Sequence, residues 1–216
     1  SQTGQTSQTS QTGQTGQTKL RICNFINIMN QKFIALDLGG VCVKLRHTEF
    51  FAQLGLDSFT PELLAIHNSF EKGKISQAEW LLGLRSNCVA LSEFSDEQFL
   101  VLFSDIIGVE MPGMSELVSL WVEKGYEIVI FSNTSDLHAE VVLQRISFAD
   151  KISAAVYSFE AAYMKPEPEI YHYFEEKYGR PVFYLDDNED NIEQGRAMGW
   201  NAKLFKNAQE LLEEEW

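Results

Sequence analysis

Long apolar runs, basic residues and cysteine are all scarce in this sequence of 216 residues. No apolar stretch approaches the ~20 residues that span a bilayer, and no basic segment followed by a long apolar run opens the chain. Neither membrane insertion nor secretion is expected. The three cysteines, Cys23, Cys42 and Cys88, are an odd number without CxxC spacing, so neither a disulfide framework nor a zinc site is indicated, and the cytoplasm is the expected location. Seventeen basic residues stand against 31 acidic ones, for a formal net charge of −14. Such a surface repels phosphate backbones and argues against a nucleic-acid partner. Any anion site must therefore carry local compensation from a cation, a lysine or backbone N–H groups.

What is present fits a globular protein: 44% hydrophobic residues and 15 Phe, enough apolar surface to offset the ordering entropy of folding. Residues 1–18 repeat a Gln-Thr unit with Gly or Ser and no apolar side chain, so a disordered low-complexity leader is expected over 1–28, with Met29 as a plausible alternative start. Five short apolar runs follow, KFIALD, YEIVIF, AAVYSF, VFYLD and NAKLF. Most are β-branched or aromatic, helical patterns lie between them, and that alternation predicts an α/β fold with a parallel sheet. Between the first two runs lies a stretch that reads as wholly helical. Thr60-Pro61 is an N-cap with proline at the first helical position, and Ser76 with Glu79 and Ser95 with Gln98 are capping boxes. Too long for a crossover, residues 45–112 read as an inserted helical cap between core segments 29–44 and 113–216. Later helices are expected to begin near Pro112-Gly113, Ser135, Pro168 and Asp190, and a short acidic helix ends the chain.

Ligands in open α/β sheets bind at the carboxyl ends of the strands. The polar residues following the runs are Asp37-Leu38-Gly39-Gly40, then Ser132-Asn133-Thr134, then Lys165-Pro166, then Asp186 to Asn191, and all should face one crevice. An aspartate followed by glycines can approach a phosphorus atom while backbone N–H groups hold the phosphate oxygens. Asp37 and Asp187 together would bind a hard cation such as Mg²⁺, which offsets repulsion between an anionic nucleophile and an anionic substrate. Ser132 would donate to the phosphoryl group, and Lys165 would place a compact positive charge beside it. Taken singly, each of these residues has a bland reading as a turn or helix cap, and Asp190 or Asn191 would cap a helix well. Their joint spacing is what favours chemistry. The histidines His47, His67, His138 and His172 show no metal-pair spacing; His47 and His67 stand out only as cap residues that could supply an acid. The aromatics Phe50, Phe51, Phe59, Phe70 and Trp80 read as the core of a small bundle.

In this order, DLGGV, FSNT, MKPEPEIY and LDDNEDNIEQG resemble the four motifs of the haloacid dehalogenase-like (HAD) superfamily, and most closely its small-capped phosphatases that act on sugar phosphates such as α-glucose 1-phosphate. The resemblance runs from about Lys32 to the end. It implies a Rossmann-like open parallel sheet core with an inserted four-helix cap, and aspartyl-phosphate chemistry with Mg²⁺ on a small phosphorylated metabolite. By position, Asp37 is the nucleophile, Ser132, Asn133 and Lys165 bind phosphate, and Asp37, the Gly39 backbone carbonyl and Asp187 hold the metal, with Asp186 and Asn191 behind them. The departure is Gly39, where most such phosphatases carry an aspartate as general acid/base. That gap leaves open a metal-independent dehalogenase, which attacks carbon and dispenses with the second aspartate, and a binding or regulatory module on a retired enzyme fold. The carboxylates of the fourth motif argue against the dehalogenase, since without a metal they would repel the nucleophile.

Overall fold

The computed structural model describes residues 32–214; the expected leader, residues 29–31 and Cys23 lie outside the described residues. Lys32–Leu36 (β1), Tyr126–Ser132 (β4), Ile152–Tyr157 (β5), Phe183–Asp186 (β6) and Ala202–Leu204 (β7) form one parallel sheet in the order β5-β4-β1-β6-β7. These are the five apolar runs. Successive side chains of a strand point to opposite faces, so a run that is apolar throughout needs cover on both. Ile34 and Leu36 pack with Leu117 and Trp121 of Met114–Glu123 (α5), Val142 of Asp136–Arg145 (α6) and Leu211 of Ala208–Leu212 (α10). Phe33 and Ala35 pack on the opposite face with Ile170 and Phe174 of Pro168–Tyr178 (α8) and Ile192 of Glu189–Ala197 (α9). A short helix, Ser158–Ala161 (α7), follows β5. The result is a Rossmann-like core.

The chain builds outward from β1 to β4 and β5, then returns to the other side of β1 for β6 and β7. That reversal opens a crevice at the carboxyl ends of β4, β1 and β6, where such sheets bind ligands. Over the crevice sits the cap: His47–Gln53 (α1), Pro61–Glu71 (α2), Gln77–Asn87 (α3) and Asp96–Ser104 (α4), with a 3-10 turn at Val89–Glu93. Its caps are those legible in the sequence. The Thr60 side chain accepts from Leu63 N–H, and both serine capping boxes are complete, Ser76 with Glu79 and Ser95 with Gln98. Phe50, Leu63, Phe70, Trp80, Leu84, Phe99 and Phe103 form a cap core of its own.

The reading of the insert as wholly helical needs correction. Ile107–Glu110 is a strand (β3), paired antiparallel with Val43–Leu45 (β2) to form a ribbon beneath the cap. Both chain crossings into the cap thus exchange backbone hydrogen bonds with each other, which satisfies polar groups that two separate linkers would leave to solvent.

Candidate active site

Asp37 follows β1 directly, is 9% exposed, and donates its N–H to Leu185 O on β6 at 3.0 Å. The chain then turns sharply, with the Cys42 and Val43 N–H groups both donating to Leu38 O at 2.8 and 3.0 Å. Gly40 occupies the left-handed region at φ 71°, and a Cβ there would lie 2.0 Å from Asp187 Oδ2. Glycine is required twice over, by handedness and by the approach of that carboxylate. Asp37, Asp186 and Asp187 consequently each offer an oxygen, all within 4.8 Å of one another.

Lys165 is buried under this group. Its ammonium donates to Phe131 O at 2.7 Å and Asp186 Oδ2 at 2.5 Å, and lies 3.0 Å from Asp37 Oδ1. Asp186, fully buried, is saturated: Oδ2 also accepts from Tyr184 OH at 2.6 Å, Oδ1 accepts from Asn188 N–H at 2.8 Å, and Asn191 Nδ2 reaches both oxygens. Asp187 is exposed to the crevice. Asn133 exchanges two hydrogen bonds with the Lys165 backbone, at 2.8 and 2.7 Å, so its side chain holds the lysine segment in place. Ser132, buried at the end of β4, donates to Asn133 O at a long 3.4 Å and lies beside the Asp37 carboxyl. The helix following Asp187 is capped by Asn188, whose side chain accepts from the Asp190 and Asn191 N–H groups, rather than by either of those residues as the sequence suggested.

Burial, followed by the charge of Asp186, pushes the Asp37 carboxyl up to about 7 against the opposing pull of Lys165 and Ser132. Asp187 is raised as well, by partial desolvation within the crevice and then by the charge of Asp186. Burial alone would lower Lys165, but Asp186 and Asp37 outweigh it and hold the ammonium above its ordinary range. Asp37 Oδ1 is buried with no aligned hydrogen bond, its contact with Lys165 being an ion pair only. An undercompensated carboxylate beside a second accessible one fits a hard divalent cation.

A profile for haloacid dehalogenase-like hydrolases matches residues 31–199. The chain belongs to the HAD-like hydrolases. Among solved structures, it is similar to a HAD family enzyme from Bacteroides thetaiotaomicron in its magnesium complex, with TM-score 0.70 and 25% identity over 85% of this chain and 99% of that one. The same enzyme with magnesium and inorganic phosphate gives TM-score 0.67 at 23% identity, over 87% and 98% of the two chains. A HAD-like family hydrolase from Porphyromonas gingivalis gives 0.66 at 16%, over 86% and 99%. No curated protein sequence matches the chain. Among the described residues, no helix is long and apolar enough to cross a membrane.

In this HAD-like hydrolase the crevice widens into a cavity of about 620 Å³ between sheet and cap. Asp37, Gly39, Ser132 and Asp187 lie on the sheet side, and His47, Phe50, Phe51, Phe59, His67 and Glu71 on the cap side. Phe50, Phe70 and Trp80 are buried in the cap core as expected, whereas Phe51 and Phe59 are only partly buried, and Phe50 itself shares in lining the cavity. The sequence did not point to His138, Glu71, Tyr184 or Ser158. Ser158 ties the cap to the core: its hydroxyl donates to Glu71 O at 2.6 Å and accepts from Thr134 N–H at 2.9 Å.

Proposed function

We propose that this HAD-like hydrolase is a Mg²⁺-dependent phosphomonoesterase that forms an aspartyl phosphate on Asp37, with a small phosphorylated metabolite of the sugar-phosphate class as substrate. In this reading residues 45–112 are the cap, and segments 29–44 and 113–216 the core. The observation that carries it is the carboxylate pair of Asp37 and Asp187 facing the cavity above a buried Lys165. The magnesium and inorganic phosphate bound by the Bacteroides enzyme support it.

Asp37, Asp187 and the Gly39 carbonyl would hold the cation, which when bound supplies charge neutralisation for attack by one anion on another. An Asp37 oxygen bonds to phosphorus as the ester P–O bond breaks, and the departing alkoxide takes a proton. Water then attacks phosphorus, releasing phosphate and restoring Asp37. Ser132 donates to the phosphoryl oxygens. Lys165 sits between Asp186 and Asp37 and offsets the charge of both; Asp186 and Asn191 hold the lysine and the loop. Gly39 offers no proton, so the leaving group draws one from elsewhere.

A panel of phosphate esters assayed with Mg²⁺ and with EDTA tests this directly. Phosphate release that needs the metal is expected; release that survives EDTA, or halide release from haloacids in its place, contradicts it.

A further inference from the structure

The cavity carries an electrostatic asymmetry that the phosphate chemistry does not require. Among the described residues lining it, none is lysine or arginine, and its acidic side chains are Asp37, Asp187 and, at the cap end, Glu71. Lys165 is committed to Phe131 O, Asp186 and Asp37 beneath the cavity floor. Among the described residues, no Lys or Arg faces the space left for a leaving group.

Glu71 is held rigidly for a residue of the cap. It ends α2, its carbonyl accepts from the buried Ser158, and the adjacent Lys72 pairs with Glu167 of the core. Gly73 comes so close to the core that a Cβ would lie 2.2 Å from Phe159 O. The Glu71 side chain is 15% exposed, with Oε1 3.5 Å from His67 Nε2. His67 Nδ1 is buried and has no hydrogen-bond partner. A proton on Nε2 alone therefore directs an N–H toward Glu71, whereas an imidazolium would strand a second N–H in the interior. Burial would raise the Glu71 carboxyl, but His67 first, then His138 and His47, hold it below its usual range. Burial also lowers His47, and lowers His138 to about 4.

We propose that Glu71 is a specificity residue, a fixed negative charge that rejects phosphate esters whose leaving group bears a second anion and so confines the enzyme to esters of uncharged alcohols. The inference rests on the phosphohydrolase reading above. Facing like charges in a site shielded from water is a standard means of discriminating against the wrong partner. Here it acts without a counter-cation that could rescue a bisphosphate or a phosphorylated carboxylic acid.

The test uses glycerol phosphate and phosphoglycerate, which differ by a hydroxymethyl group against a carboxylate, at about pH 8, where an ordinary imidazole is neutral. Wild-type protein with Mg²⁺ is expected to favour glycerol phosphate in kcat/KM by about tenfold or more. Glu71→Gln, nearly isosteric, should shrink that ratio about tenfold, mainly through KM for phosphoglycerate. Asn68→Lys, which adds a cation on the same wall, should shift the ratio in the same direction, and melting curves confirm that both variants are folded. Calorimetric binding of the non-hydrolysable phosphonate analogues reads the same preference without turnover. If no ester is hydrolysed but the neutral phosphonate is still preferred and Glu71→Gln removes the preference, the phosphohydrolase reading fails and the charge filter stands. Equal binding of both phosphonates, binding of neither, or a ratio unmoved in both variants overturns the proposal.

Discussion

Gly39 and Gly40 are adjacent, yet they have opposite tolerances. Gly40 combines a left-handed φ with a Cβ position occupied by Asp187. Gly40→Ala should displace that carboxylate and weaken Mg²⁺ binding by roughly tenfold or more, as loss of a well-placed ligand or its support does; calorimetry with the metal alone reads it, and unchanged affinity would contradict the ligand assignment. Gly39 has no such backbone restriction, and its Cβ would first meet the movable end of Leu45, at 2.8 Å. Gly39→Asp should therefore be accommodated and accelerate unactivated alkyl phosphates selectively, since general acid catalysis contributes ~10²–10⁴-fold and matters least for good leaving groups. In the wild type an aryl phosphate should correspondingly outpace an alkyl one, and similar rates for both would point to another acid. The residues on the sheet side were legible because each follows a strand end, where sequence order and spatial position coincide. Glu71 and His138 were not, because their place in the cavity depends on how the cap meets the core, and nothing local records that packing.

Helix starts were the most readable elements, since a capping box is a local hydrogen-bond exchange complete within four residues. Ser95→Ala removes the bond accepted from Gln98 N–H at 3.1 Å and should cost about 1 kcal/mol of stability, visible as a lowered denaturant midpoint with an unchanged slope. The β2-β3 ribbon escaped notice for the opposite reason. Val43–Leu45 and Ile107–Glu110 are too short for a period-two pattern to stand out, and their pairing joins segments from either side of the whole cap. The turn before α9 shows a subtler limit. Asp190 and Asn191 both suit a helix cap by type, but Asn188 precedes them and already accepts from their N–H groups. Asn191 is thereby freed to donate to both oxygens of Asp186.

At the scale of the whole molecule, the cap is fastened to the core through buried polar contacts, with His138 among them. Its Nε2 lies 2.8 Å from Phe103 O of the cap, and its ring stacks on that of Phe103 at 3.9 Å. Burial lowers this histidine to about 4 from an ordinary 6.5, against the opposing influence of Phe103 O and Glu71. The unfolded chain binds the proton more readily, so the contribution is fully present above about pH 6.5 and is lost as pH falls toward about 4, by roughly 3 kcal/mol at most. His138→Phe should flatten that part of the stability profile, measured by urea melts between about pH 7 and pH 5; parallel profiles would remove His138 from the account. The formal charge of −14 and the clustered carboxylates make the central claim a demanding one, because an acidic protein is asked to turn an aspartate on an anionic ester. The measurement that tests it most directly is acid quenching during turnover of an aryl phosphate with Mg²⁺, followed by mass spectrometry of the peptide that contains Asp37. The account requires a phosphoryl group on Asp37 in the wild type, absent with EDTA and in Asp37→Asn; turnover without label there, or label on another residue, would contradict it.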